Sequence, residues 1–353
     1  MRFVASSCLR EGMRLARPLY RNVDTMLAAG VVLNDQYIAS IQRCGFPGVY
    51  IEDDISKDIE VNTMISDELR MSTMRSLNKV IEHAATVSPT TKAPDISRQV
   101  ESIVDELFAN KDVMVNILDL SGYDDYTCSH SLNVAILSIV LSMGMGFPRS
   151  ETIGIGTGAL LHDIGKVFVP KSILLKNSRL TDEEFGIIKK HPADGYQYIY
   201  KRYNIPLRYC DTILDHHEKY DGGGYPNGKK GTDISLFGRV CAVADVYDAL
   251  VSKRPYRDAL PPCECVEYVM GAAGTQFDPR VVDVFARHIA PYPVGTSVKL
   301  SNGWVGLVVE NYISYSLRPK IRIYEQNGER VAPFEISLKD DFQYLSVTIT
   351  GIG

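Results

Sequence analysis

Residues 160–166 read Leu-Leu-His-Asp-Ile-Gly-Lys, so His162 and Asp163 stand side by side inside an apolar run. Burying two adjacent ionisable groups is costly unless hydrogen bonds, an ion pair or a metal compensates. Whatever fold this chain adopts must deliver partners to that point. The rest of the sequence indicates where they come from.

Seven histidines are present, at 83, 130, 162, 191, 216, 217 and 288, and five of them fall between 130 and 217. His216 and His217 are adjacent, and Asp245 interrupts the otherwise apolar VADVYDAL. A single histidine on an apolar face is more often a satisfied core residue than a ligand. Two adjacent pairs in one region reverse that balance. Imidazole and carboxylate without thiolate suit iron, manganese or zinc, whereas a structural zinc site usually recruits cysteine. His130, His162, Asp163, His191, His216, His217 and Asp245 exceed what one tetrahedral ion needs. They suit two ions sharing a carboxylate, an arrangement that stabilises both the attacking and the leaving oxygen of a phosphoryl displacement. Asp163 can bridge the two while His162 binds one. Gly165 lets the chain turn closely past the site, and Lys166 aims a charge at a phosphate oxygen.

Asp248, Arg254 and Arg257 follow in DVYDALVSKRPYR. Arginine forks match phosphate oxygens, although solvated surface charge is the ordinary role of such residues. The glycine-rich DGGGYPNG, residues 221–228, reads either as a plain turn or as the rim of the site, with Tyr225 stacking on a base.

The 353 residues leave room for two or three domains. A net charge of -5 gives no global basic footprint for a nucleic acid polymer. Seven cysteines without a CxxC pair suggest reduced thiols and a cytoplasmic location. No apolar h-region opens the chain, so no signal peptide is expected. Residues 132–147 are too short for a membrane span and read as a buried core helix. Residues 1–60 read as a small mixed α/β module, with Asn34 capping a helix that Gly45 ends and a strand at 48–51. Residues 61–119 read as helical, serving as core packing or as a dimer seam, with SPTTKAP (88–94) as a break. Residues 120–290 are helical in period. Beyond 291, alternating residues flank Asn302-Gly303 and Asn327-Gly328, which predicts a small β-barrel or β-sandwich.

The motifs run in order: YTCSHS with His130; LLHDIGKVFVP; ILLKNSRLTDEEFGIIKKHP with His191; HHEKYDGGGYPNG with Gly224-Tyr225-Pro226; RVCAVADVYDALVSKRPYR; and GTQFDPRVVDVF. Together, across residues 120–288, they resemble the HD-GYP family, a branch of the HD-domain metal phosphohydrolases. The fold class expected is therefore mainly α, an all-helical HD-type domain between the two smaller modules. The resemblance implies bacterial signalling through hydrolysis of cyclic di-GMP to pGpG and on to GMP, with two divalent ions, iron or manganese. By position it assigns His130, His162, Asp163 and Asp245 to one metal, and Asp163, His191, His216 and His217 to the other. Lys166, Asp248, Arg254 and Arg257 fall on substrate-contact positions. Tyr126 stands where members with a third metal carry Glu, which favours two ions. Lys253 and Asn177 depart from the family pattern at positions that are not ligands. The flanks resemble modules that accompany this domain. Two other functions compete: a cyclic dinucleotide sensor that signals to a partner without turnover, and a phosphodiesterase for another nucleotide.

Overall fold

The computed structural model describes residues 1–21, 24–86, 95–110, 114–116, 126–176, 178–203, 205–252 and 259–353. At the start of the chain, β1 (Arg2–Ala5), β2 (Arg14–Leu15), β3 (Leu19–Arg21) and β4 (Asp24–Leu27) precede α1 (Asp35–Arg43) and β5 (Gly48–Glu52). β5 lies between β1 and β2, antiparallel to both, and β3 pairs with β4. The Asn34 side chain accepts the Tyr37 N–H at 2.9 Å to start α1. Gly45 takes φ +80° just past its end, a conformation glycine adopts without steric cost. Leu15, Leu33, Ile41, Val49 and Ile51 close a core that belongs to this region alone.

α2 (Asp67–Ala85) and α3 (Ser97–Ala109) follow. Ser66 caps α2, and Glu106 of α3 accepts the Ser66 N–H at 2.7 Å, which ties the two helices together. Residues 88–94 lie outside the described residues. Leu77 and Val80 of α2, with Val100, Ile103, Val104 and Leu107 of α3, are buried in the same core as Leu132, Ile155 and Tyr247 further along. These residues of the apolar stripe are therefore core packing within the chain.

α4 (Tyr126–Gly144), α5 (Arg149–Leu160), α6 (Lys171–Leu174), α7 (Asp182–Ile188), α8 (His191–Arg202), α9 (Leu207–Asp215), α10 (Leu236–Val251), α11 (Pro262–Gly271) and α12 (Pro279–His288) complete the helical unit. α4 and α10 are apolar around most of their circumference, so they sit at its centre, packed against each other and against α5, α9 and α12. The run 132–147 is the buried body of α4 and the turn after it. Among the described residues, no helix is long and apolar enough to cross a membrane.

β6 (Ser297–Leu300), β7 (Trp304–Glu310), β8 (Lys320–Gln326), β9 (Glu329–Ser337) and β10 (Ile349–Ile352) form one antiparallel sheet in the order β10-β6-β7-β8-β9. Asn327 and Gly328, with φ of +51° and +89°, make the two-residue turn between β8 and β9. The expected barrel does not close among the described residues, because β9 and β10 remain as separate edges. β9 buries only Ile336, exposes Glu329, Arg330 and Glu335, and contains Pro333, which has no N–H for a further strand.

Candidate metal centre and adjoining cleft

The candidate ligands stand at helix ends or in helix interiors that face one point. His130 comes from α4 and Asp245 from α10. After α5 the chain turns through His162 and Asp163 into the 3-10 turn Ile164–Phe168. His191 opens α8, and His216 and His217 follow α9. Gly165 is needed for contact rather than conformation. A Cβ there would lie 1.9 Å from the His191 carbonyl oxygen.

These helix ends also set the ring orientations. Nδ1 of His162, His191 and His216 lies 2.7, 2.7 and 2.8 Å from the carbonyl three residues earlier, at Ala159, Ile188 and Ile213. A carbonyl only accepts, so each Nδ1 carries a proton, and each ring turns its Nε2 inward. His130 is fixed differently: its Nδ1 donates to Asp248 Oδ2 at 2.7 Å, and Asp248 Oδ1 accepts from Asn133 Nδ2 at 2.9 Å.

The inward atoms form two groups, His130, His162 and Asp245 in one and Asp163, His191, His216 and His217 in the other. His130 Nε2 is 3.1 Å from Asp245 Oδ1, and His162 Nε2 is 3.3 Å from Asp163 Oδ2. The other oxygen of Asp163 faces the second group, 3.4 Å from His191 Nε2 and 3.9 Å from His216 Nε2. Asp163 thus presents one oxygen to each group. His191 Nε2 and His216 Nε2 lie 3.2 Å apart with both protons held elsewhere, so two lone pairs face each other. His162 Nε2 and Asp163 Oδ1 are buried with no hydrogen-bond partner. Orphaned acceptors and opposed lone pairs at one point call for a cation, and a His/Asp set without thiolate fits a divalent metal. The residues could hold such ions.

Electrostatics favour the metal-binding forms of His216, His217, Asp163 and Asp245, whereas His130 departs from that pattern. Burial, reinforced by His217, His162 and His191, holds His216 well below the usual histidine value. Burial likewise brings His217 down to about 3. Burial opposes charge on Asp163, yet His162 and Lys166 outweigh it and keep the carboxyl well below the usual range. Asp245 is held low in the same way, chiefly by His130. At His130 burial is outweighed by the bonds to Asp245 and Asp248, and the ring rises to about 9.

Asp248 departs from the sequence expectation. It is 1% exposed and bonded behind His130, so it orients a ligand and does not face a substrate. Arg254, Arg257, Lys253 and Asn177 lie outside the described residues, as does the side chain of Tyr126. Lys166 Nζ lies 2.5 Å from Asp163 Oδ2 at the mouth of the site. The Tyr225 ring lies 4.8 Å from the His217 ring, tilted by 35°. Its loop is clamped by buried Glu218, which accepts the Asn227 and Lys229 N–H groups at 2.7 and 3.1 Å. Sequence reasoning missed Glu218 and Asn133. Asn133 did signal itself as a lone amide in the apolar run of α4. A cleft of about 490 Å³ opens from the cluster, bounded by Lys166, His191, His217 and Tyr225 on one side and by residues within 173–176 and 178–188 on the other.

The HD-domain family model matches residues 116–281. A cyclic di-GMP phosphodiesterase of Pseudomonas aeruginosa is 34% identical over 266 residues, 70% of this chain and 64% of that protein. A 3'3'-cGAMP-specific phosphodiesterase of Vibrio cholerae is 34% identical over 191 residues, 54% of this chain and 37% of that protein. The chain spans less than two thirds of the length of the curated relatives it matches. Among solved structures, an HDG"Y"P protein from Bdellovibrio bacteriovorus superposes with a TM-score of 0.51 at 18% identity, covering 80% of this chain and 97% of that one. That likeness is one of fold alone.

Proposed function

We propose that this chain, whose residues 116–281 match the HD-domain family model, is a metal-dependent phosphodiesterase acting on cyclic di-GMP. The observation that carries the reading is the cluster itself, with buried His162 Nε2 and Asp163 Oδ1 unpartnered and Asp163 facing both donor groups. The name of the Pseudomonas aeruginosa relative supports the substrate. In this reading His130, His162, Asp163 and Asp245 hold one ion and Asp163, His191, His216 and His217 the other, with iron or manganese as the metal. Bound there, the ions supply Lewis acidity and a water of lowered pKa.

The chain's own residues then position the substrate. Lys166 places its ammonium beside the phosphoryl oxygens, and Tyr225 covers the site from the 221–229 loop. Arg254 and Arg257 are proposed as contacts to the substrate's charged groups. The Nδ1 anchors keep these imidazoles oriented, with Nε2 turned inward. The product is pGpG, followed by GMP. The seven free cysteines suit a cytoplasmic location. A second reading keeps the chemistry and changes the base, because a relative is named 3'3'-cGAMP-specific.

The test is chromatography of cyclic di-GMP and 3'3'-cGAMP, each incubated anaerobically with protein reconstituted with iron(II) or manganese(II), alongside Asp163→Ala. Metal-dependent pGpG or GMP, absent in the variant, is expected. Faster turnover of 3'3'-cGAMP would move the substrate to the second reading. An unchanged substrate peak at full metal loading, or wild-type activity in the variant, would refute the assignment.

A further inference from the structure

Residues from Ile173 to Lys176 and from Ser178 to Ile188 form the cleft wall that faces the candidate ligand cluster. Three cations line the cleft: Lys166, Lys176 and Arg179. Lys166 pairs with Asp163. Lys176 donates to both oxygens of Glu184, at 2.8 and 2.7 Å. Arg179 has no ion pair or hydrogen bond among the described residues, so of the three cations it alone lacks a partner there.

The pairing of Lys176 also builds the seat for Arg179. Thr181 caps α7 by accepting the Glu184 N–H at 3.2 Å, and Glu184 accepts the Thr181 N–H at 2.8 Å. Because Glu184 holds Lys176 as well, the chain is tied on both sides of Arg179 to the start of α7. One turn along, Phe185 adds an aromatic ring that remains 42% exposed. That ring is held 6.3 Å from the Tyr225 ring, with the Lys189 ammonium 4.8 Å from its centre. Ile173, Leu180 and Ile188 make the rest of the wall apolar.

An apolar wall, a fixed aromatic ring and an unpaired guanidinium are the chemistry that recognises a nucleotide. The ring and aliphatic groups cover a base, and the guanidinium fork takes a phosphate. We propose that Arg179 and Phe185 form a second nucleotide subsite, which holds the phosphate and base of the substrate half not undergoing cleavage. This rests on the phosphodiesterase reading, which places the scissile phosphate at the metal centre.

The test uses the manganese-loaded full chain. Binding of the bis-phosphorothioate analogue of cyclic di-GMP, which resists hydrolysis, is measured by calorimetry, and turnover of cyclic di-GMP is measured in parallel. Arg179→Ala is expected to weaken binding roughly 10- to 100-fold, as for loss of a charged hydrogen-bonding group, and to raise KM by a similar factor. Phe185→Ala should weaken binding roughly 10-fold, in the range of base–aromatic stacking. Arg179→Lys and Phe185→Tyr should recover part of each loss, which a general loss of structure would not allow. Wild-type affinity in both alanine variants, or no binding by the wild type, would overturn the subsite. Binding by the wild type without turnover would overturn the hydrolytic reading alone, and the variants' affinities would still decide the subsite.

Discussion

Replacing Gly165 with alanine tests whether the histidine–aspartate turn is held against α8 by direct backbone contact. The added Cβ would lie 1.9 Å from the His191 carbonyl oxygen and 2.7 Å from the Gly195 nitrogen. Both are backbone atoms, so no side chain can swing aside. Relief to the 3.0 Å floor of real Cβ contacts requires the turn and α8 to separate by about 3.0 − 1.9 = 1.1 Å. Overpacking of this kind costs about 1–3 kcal/mol, and the upper end applies because two backbones must move. The same shift would carry Asp163 Oδ1 away from His191 Nε2, now 3.4 Å away, so the second donor group would lose its shared carboxylate. Gly186 provides the control, since nothing lies within 4 Å of a Cβ there. Alanine at that helical position should be neutral or stabilising by up to about 1 kcal/mol. Urea unfolding followed by circular dichroism gives the stabilities, and metal content after gel filtration gives the occupancy. If Gly165→Ala lost less than about 0.5 kcal/mol and kept wild-type metal, the contact argument would be wrong.

Asp248→Asn should lower metal affinity about 10- to 100-fold. Asn has one acceptor oxygen for two donors, His130 Nδ1 and Asn133 Nδ2; competition with a chelator measures the change, and an unaltered constant would return Asp248 to a role at the substrate. Glu218→Gln should leave Asn227 N–H or Lys229 N–H facing an amide NH₂. Loss of one such bond is worth roughly 1.5–3 kcal/mol, and faster hydrogen exchange across residues 224–229 is the readout, with wild-type protection counting against the clamp. Asp278 is buried, and although burial opposes its charge, bonds from Arg280 and Arg239 hold the carboxyl below its usual value. A depressed folded pKa stabilises above the unfolded value near ~3.9 and is lost as the pH falls through the folded one. Asp278→Asn should therefore cost about 1.5–3 kcal/mol at pH 7, and the gap from wild type should narrow below about pH 4. A gap independent of pH would show that the carboxylate's charge does not contribute.

Much of the site was legible because its chemistry demands unusual residues in unusual places. An adjacent His-Asp in an apolar run and a second His-His pair stand out against any core, and the structure brings all seven of these donors to one point. The helix around His130 and the Asn-Gly turns were equally legible, since apolar period and left-handed turn residues are local properties. The role of Asp248 was not. Its distance from the cleft follows from how α10 rolls against α4, and that depends on long-range packing. Glu218 and Glu184 read as ordinary surface acids until the fold supplies the backbone N–H groups and the lysine they bind. The open sheet at the C-terminal end has the same origin. Alternation marks strands but does not say whether the first and last edges meet.

The carbonyl anchors on His162, His191 and His216 have a consequence for how the centre is filled. Those bonds belong to the helix ends and persist whatever the inward nitrogens touch. A zinc finger is unfolded without its ion; here the ring orientations are set by helix ends and not by an ion. Chelator-treated protein is therefore expected to keep its helical circular dichroism and to take up manganese(II) again, and loss of the helical signal on chelation would refute this.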